Sequence, residues 1–158
     1  MNEILTIILK DTYSLSQLKH RLRILKTSLL KAFFGSKEEI SFSPDELSWL
    51  KSLPDNFYQK FSKDNIYQIF TEFEQEISKL QTLTIHLTFE PDESTLAQIG
   101  TYVRHHFEAT IPLDIKFDPS LIAGAALVWK GVYKDYSLKA RLDAKKTEML
   151  QEFKRFLR

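Results

Sequence analysis

Two adjacent histidines are the residues of this chain whose chemistry could most directly form a site. His105 and His106 carry imidazoles, which bind metal ions and transfer protons near neutral pH. A helical metal site uses histidines four residues apart, whereas adjacent helical residues point about 100° apart. The pair therefore favours a structural or surface role over a metal site.

Carboxylates are the second group that could do chemistry, as general acids or bases. One cluster stands where a helix is predicted to begin, and the helix dipole explains it: Glu90, Asp92 and Glu93. Asp114, Asp118 and Asp135 have no partner base at a spacing that predicts one. The four glycines form no phosphate-binding loop, and cysteine is absent, which excludes cysteine nucleophiles and thiolate metal sites. The sequence predicts a protein that is not an enzyme and has no cofactor or metal.

The composition is that of a soluble globular protein. Hydrophobic residues make up 43% and charged residues 27%, and the net charge of +1 indicates no whole-molecule attraction to nucleic acid or anionic lipid. No stretch approaches the roughly 20 apolar residues that span a bilayer. The apolar run in residues 1–10 lacks the basic segment and cleavage site of a secretion signal. We therefore expect contact with a membrane only through partners.

One predicted helix carries a local excess of positive charge. Between Asp11 and Glu38 there are several basic residues and no acidic one, among them Lys19, Arg21, Arg23, Lys26 and Lys31. Such a helix fits either a solvated face over a buried leucine stripe or contact with nucleic acid, anionic lipid or an acidic partner. No recognised nucleic-acid motif accompanies it. A small nucleic-acid-binding adaptor is therefore one alternative function.

Residues 1–80 are predicted to form a helical bundle domain. The run in residues 1–10 predicts a buried helix or strand. Apolar residues at three- and four-residue steps predict a helix from about residue 15 to residue 33, ended by Gly35 and Ser36. Ser43 and Glu46 have the spacing of a capping box and predict another helix, which ends near residue 54. Further helical segments are predicted in residues 56–61 and 64–80.

Residues 81–158 are predicted to form a small mixed α/β domain. Alternation predicts strands at 83–89, 113–117 and 121–129, with a short extended piece at 132–133. Asp92 opens a helix whose inner positions are predicted to be Leu96, Ile99, Val103 and Phe107. A long last helix follows Ser137. The predicted fold class is α+β, with an N-terminal helical bundle, a small α/β domain and a long C-terminal helix.

Two short motifs precede the last helix. The first is the run Asp118-Pro119-Ser120-Leu121-Ile122-Ala123-Gly124, and the second is Asp135-Tyr136-Ser137. Proline cannot donate to a sheet ladder, so Pro119 indicates a turn, an edge or a strand start. Gly124 and its alanine neighbours leave room for close approach of a neighbouring element. Ser137 is predicted to be a helix cap.

The order of these motifs resembles the C-terminal domain of the delta subunit of F-type ATP synthases, a family called the oligomycin-sensitivity-conferring protein in mitochondria. Family members typically carry Asp-Pro-Ser-Leu-Ile-Gly-Gly and then Asp-Gly-Ser. Ala123 and Tyr136 replace a glycine in each motif. The likeness spans residues 80–150. The bundle predicted for residues 1–80 is shortened, because it has fewer residues than the N-terminal bundle of the family. The matching positions, which have a structural role, are Asp118, Pro119, Ser120, Leu121, Ile122, Gly124, Asp135, Ser137 and Leu142.

The resemblance implies a non-catalytic stator subunit that links the catalytic head to the peripheral stalk. Rotation is then coupled to proton transport and ATP synthesis. The implied partners are the b subunits at the C-terminal domain and the alpha subunits at the N-terminal domain, with no nucleic acid. The implied location is peripheral, at the cytoplasmic face of the cell membrane. Apolar residues near the end of the last helix are expected to contact the b subunits: Leu150, Phe153 and Phe156.

The E-type stalk protein of the vacuolar and archaeal rotary ATPases is the nearest alternative, and it also belongs to a peripheral stalk. Its C-terminal pattern is similar to residues 138–142 here, Leu-Lys-Ala-Arg-Leu. That protein should carry a long uninterrupted N-terminal helix. The breaks at Gly35 and Pro54 in this chain argue against such a helix. A hydrolase is a third alternative, for which the sequence offers few convergent polar residues.

Overall fold

The computed structural model describes residues 3–35, 41–107 and 111–157. The chain divides into two compact units, Met1–Leu80 and Gln81–Arg158. The first is built from helices, and the second combines a sheet with helices. The predicted α+β fold class is confirmed. Two residues named in the predictions lie outside the described residues: Met1, in the N-terminal apolar run, and Ser36, at the end of the leucine-rich helix.

The first unit contains five helices over residues 3–35 and 41–80. They are α1 (Glu3–Lys10), α2 (Leu15–Phe34), α3 (Pro44–Ser52), α4 (Asp55–Tyr58) and α5 (Ile66–Lys79). The N-terminal run is therefore a helix rather than a strand. Gly35, with a φ of 70°, ends α2 as predicted. Ser43 and Glu46 form the predicted capping box, in which each side chain accepts a hydrogen bond from the other residue's backbone amide.

The core of the first unit is built on the leucine stripe of α2. Leu18, Leu22, Leu25 and Leu29 are buried there, as their spacing predicts. Aliphatic side chains of α1 and aromatic side chains of α4 and α5 pack against the stripe, and Phe57 is fully buried. The helices thus supply apolar side chains to a common core.

The second unit contains a four-stranded sheet and two helices over its described residues. Its elements are β1 (Leu83–Leu87), α6 (Glu93–His106), β2 (Leu113–Phe117), a 3-10 turn (Pro119–Leu121), β3 (Ala125–Trp129), β4 (Val132–Asp135) and α7 (Leu138–Phe156). The strand order is β2-β1-β3-β4. Strand β1 is parallel to β2 and antiparallel to β3, and β3 is antiparallel to β4.

The sheet has one apolar face, which packs against α6. Alternating residues of β1, β2 and β3 form this face, and Val103 is buried against them. Asp92 caps α6 by accepting a hydrogen bond from the Thr95 amide at 2.7 Å, as predicted. The cross-strand register places His86, Ala126 and Asp135 side by side on the opposite face.

Several local predictions in this unit are wrong. The predicted strand at 121–129 begins only at Ala125, because Ile122 and Gly124 have φ values of 68° and 86°, which no strand accommodates. The extended piece predicted at 132–133 is confirmed, but it is longer than predicted: it is β4, which continues to Asp135 and is the fourth strand of the sheet. Strand β1 ends at Leu87 rather than at residue 89. Phe107, predicted to face inward, is 47% exposed because α6 ends before it.

We propose that residues 81–158 form a domain that folds without residues 1–80. Their hydrophobic cluster is drawn from β1, β2, β3 and α6, which all lie in this range. The expressed fragment should give a dispersed amide NMR spectrum and a cooperative thermal transition. Leu113→Ala, which removes a fully buried side chain, should lower the unfolding free energy by about 2–5 kcal/mol. A collapsed spectrum for the unmutated fragment would contradict the domain proposal.

Candidate partner-binding surface

The first motif folds as a tight turn after β2. The Asp118 carboxylate accepts hydrogen bonds from the Ser120 amide at 3.0 Å and from the Ser120 hydroxyl at 2.6 Å. The Asp118 amide donates to the Leu87 carbonyl at 2.7 Å, which holds the turn against β1. Pro119 occupies the first position of the 3-10 turn, where a missing amide hydrogen is tolerated. These bonds from Ser120 lower the pKa of Asp118.

The middle of the motif turns one side chain inward and the next outward. Leu121 is buried, whereas Ile122 is 59% exposed. The Ile122 amide donates to the Pro119 carbonyl at 3.2 Å, and the Ala123 amide donates to the Leu121 carbonyl at 2.8 Å. Two successive reversals of the chain therefore precede β3, and Ile122 lies at the second of them.

The second motif starts α7 with the same pair of residue types. The Asp135 carboxylate accepts a hydrogen bond from the Ser137 amide at 2.8 Å. Ser137 is fully buried, and its hydroxyl accepts from the Ala140 amide at 3.1 Å, so it is the predicted helix cap. Hydrogen bonding to the Ser137 side chain and backbone lowers the pKa of Asp135. The Tyr133 hydroxyl donates to the same carboxylate at 3.2 Å.

The two motifs contact each other through their backbones. The Leu138 amide, at the start of α7, donates to the Ala123 carbonyl at 2.8 Å, and the Tyr136 amide donates to the Ala125 carbonyl at 2.9 Å. A β-carbon added to Gly124 would lie 2.8 Å from the Tyr136 carbonyl oxygen. The glycine is therefore required both by its positive φ and by the close approach. Together the motifs fix the position at which α7 begins.

None of the side chains of helix α7 is buried, and all of its residues except the half-buried Ala140 are exposed. Leu142, Met149, Phe153 and Phe156 recur at three-, four- and seven-residue steps, which places them on one face of the helix. Phe153 is 63% exposed and Phe156 is 91% exposed, and Leu150 beside them is 52% exposed. Exposed apolar side chains grouped on one face of a helix are typical of a surface that binds another protein.

His105 and His106 are not arranged as a metal site in the structure. The ring of His106 stacks on Tyr102 with centroids 4.0 Å apart. Its Nδ1 lies 2.8 Å from the Tyr102 carbonyl oxygen. In the part of the chain that the structure describes, no group of three or more histidine or acidic side chains is arranged to hold a metal ion.

Two of the basic residues of α2 are engaged within the first unit. Arg21 donates to the Asp11 carbonyl at 2.8 Å and to the Thr12 hydroxyl at 2.9 Å, and its guanidinium lies 5.1 Å from the centre of the Trp49 ring. The Lys26 ammonium lies 5.5 Å from the centre of the Phe70 ring. These contacts favour the interpretation of α2 as a solvated face over a buried stripe.

Sequence reasoning missed the exposure of the residues around the motifs. Ile122 lies within an apolar run, which favours a strand, and nothing in the spacing of Tyr133 and Tyr136 indicates a role. Each is more than half exposed. The one local signal of a turn at Ile122 was Gly124, two residues later. Alternation of apolar residues does not by itself indicate where a strand begins. No helix in the described ranges is long and apolar enough to cross a membrane.

Comparison with known proteins gives one family. The model of the family described as ATP synthase delta (OSCP) subunit matches residues 6–149, which include most of both units and both motifs. The match ends before Leu150, Phe153 and Phe156. No curated protein matches the chain significantly.

Replacing Gly124 by alanine should destabilise the protein more than the same change at Gly131. Both glycines have a positive φ, but a β-carbon at Gly131 would meet nothing within 4 Å. Both variants therefore share a backbone strain of about 1–3 kcal/mol. In Gly124→Ala the clash with Tyr136 should lower the free energy of unfolding by a further amount of about 1 kcal/mol or more. Urea denaturation measures the difference. Equal free energies of unfolding would contradict the close approach.

Stability should fall in acid through Asp118 and Asp135. Their folded-state pKa values are lowered from the ordinary 3.8. A carboxyl with a depressed folded pKa contributes stability above the unfolded pKa, and this is lost as the pH falls through the folded pKa. Asn keeps the acceptor oxygen but does not titrate. The double variant Asp118→Asn, Asp135→Asn should therefore lose less stability below about pH 4.

Urea denaturation across the acid range measures this loss. Near neutral pH, where the carboxylates are ionised in both states, the two proteins should show parallel curves. An identical acid dependence in the double variant and the unmutated protein would contradict the assignment.

Proposed function

The chain belongs to the ATP synthase delta (OSCP) subunit family, and on this premise we propose that it is a stator subunit of an F-type ATP synthase. It links the catalytic head to the b-subunit stalk and resists the torque of the rotating central stalk. Rotation is thereby coupled to proton transport and ATP synthesis. The observation that carries the proposal is the family match over residues 6–149. The role is mechanical and requires neither catalysis nor a cofactor of its own.

The junction of the two motifs supports this mechanical role. A stator subunit must transmit force between partners without yielding where its binding elements are attached. Helix α7 is attached at its first residue by the hydrogen bond from Leu138 to Ala123, and by the buried cap Ser137. Because no side chain of α7 is buried, the helix can be covered by another chain while its base stays fixed to the sheet.

The b subunits are the proposed partners of the C-terminal unit. Leu150, Phe153 and Phe156 supply exposed apolar surface at the far end of α7. Their burial under a partner helix would remove this surface from water, which is favourable. The alpha subunits are the proposed partners of residues 1–80, with no individual residue assigned. The protein would lie at the cytoplasmic face of the cell membrane, held there through the complex.

The alternative assignment to the E-type stalk protein of vacuolar or archaeal ATPases finds less support. It requires a long uninterrupted N-terminal helix, whereas over residues 3–35 and 41–80 the chain forms separate helices. Helix α2, which is the longest of them, ends at Phe34.

Charged replacements on the apolar face of α7 should abolish binding to b. The variant Phe153→Glu, Phe156→Glu should fail to co-purify with the b subunit from native membranes. Its free energy of unfolding should change by less than about 0.5 kcal/mol, because both rings are exposed. The matched control is Thr147→Glu, Gln151→Glu, which adds the same charge to the opposite side of the same helix and should co-purify normally.

Two results would overturn parts of this proposal. Normal co-purification of the phenylalanine variant would refute the assignment of these residues. Failure of the unmutated protein to co-purify with both the b and the alpha subunits would refute the stator function itself.

A further inference from the structure

Ile122 combines a strained backbone with an exposed side chain. Its φ is 68° and its ψ is −53°, and it forms the centre of a three-residue turn closed by the hydrogen bond from Ala123 to Leu121. This type of γ-turn is rare and strained. A β-branched residue with a positive φ is an outlier even among strained positions.

Burial of the side chain compensates little for the strain at Ile122. Glycine would adopt the same backbone with no steric penalty. The buried neighbour Leu121 already packs the inside of the turn, and Ile122 is 59% exposed, so little apolar surface is removed from water. Strained residues persist only where the surrounding structure holds them, and they cluster at functional sites. The isoleucine side chain itself is therefore the feature to explain.

Ile122 lies next to the base of α7. The following residue, Ala123, accepts the hydrogen bond from Leu138, the first residue of the helix. Leu138 and Leu142 are each 40% exposed, and further apolar residues continue along α7 to Phe156. At 1.5 Å per residue, the distance from Leu138 to Phe156 is about 27 Å. Exposed apolar side chains thus lie at the turn, at Leu138 and Leu142 near the start of α7, and from Met149 to Phe156 near its end.

We propose that Ile122 is a partner-binding anchor that extends the apolar face of α7 at its base. This inference rests on the proposed stator function. The partner is a helix of the b subunit, which would lie along α7 with its apolar face against this row of side chains. Basic residues outnumber acidic ones by six to three in α7. Charge complementarity therefore favours a partner helix whose apolar face is flanked by carboxylates.

The test separates the side chain from the backbone. The dissociation constant is measured by calorimetry between the 158-residue chain and the soluble part of the b protein from the same genome. Ile122→Gly removes the side chain and relieves the strain. Its dissociation constant should rise about tenfold or more, while Tm should stay level or rise by up to roughly 8 °C. Ile122→Leu keeps an apolar side chain and should bind within about threefold of the unmutated protein.

Lys130 supplies the matched control. It also has a positive φ, of 50°, and it precedes Gly131 in the turn between β3 and β4. Lys130→Gly relieves the same kind of strain at a site outside the proposed interface. Its Tm should therefore stay level or rise, and its dissociation constant should not change.

The outcomes distinguish the inference from the function on which it rests. Wild-type affinity for Ile122→Gly would overturn the role of Ile122 and leave the stator function in place. A loss of affinity accompanied by a lower Tm would overturn it too, because Ile122 would then be a structural residue. No binding by the unmutated protein would overturn both.

Discussion

The position of α7 depends on a backbone contact that only glycine permits. Residues 123–125 run so close to the start of the helix that a β-carbon on Gly124 would lie 2.8 Å from the Tyr136 carbonyl oxygen. This approach allows the Ala123 carbonyl to accept the amide hydrogen of Leu138. Because α7 buries no side chain of its own, these backbone contacts and the buried Ser137 attach the helix to the sheet.

The same local chemistry occurs on both sides of this contact. In each motif an aspartate accepts hydrogen bonds from a serine two residues later. Such side chain–backbone bonds fix a turn without a regular element. Ser137 then caps the helix, so the second turn also gives α7 its first satisfied amides. Asp118 and Asp135, which by residue type are candidate acids or bases, therefore have a direct structural role.

The surface beyond the junction has the opposite character. Ile122, Phe153 and Phe156 are exposed, although residues of these types are usually buried. A rigid attachment combined with an unpartnered apolar helix fits a protein that joins other chains. Membership of the delta subunit family agrees with this combination, because the family is that of a peripheral-stalk subunit.

The sequence alone determined the elements that depend on local rules. The leucine spacing of α2, the capping box of Ser43 and Glu46, and the serine cap of α7 all follow from residues three or four positions apart, and each is present. The resemblance carried by residues 118–124 and 135–137 also indicated the family.

Only the tertiary structure decided where these elements meet. The positive φ of Ile122, the late start of β3, the fourth strand and the contact between the two motifs depend on the folded backbone and on hydrogen bonds that join separate elements. Periodicity carries no record of such bonds, because it describes which face of an element is apolar and not which neighbour covers it. For the same reason the sequence predicted α7 as a helix with partner-binding residues near its end, whereas the absence of any buried side chain along it became evident only in the folded chain.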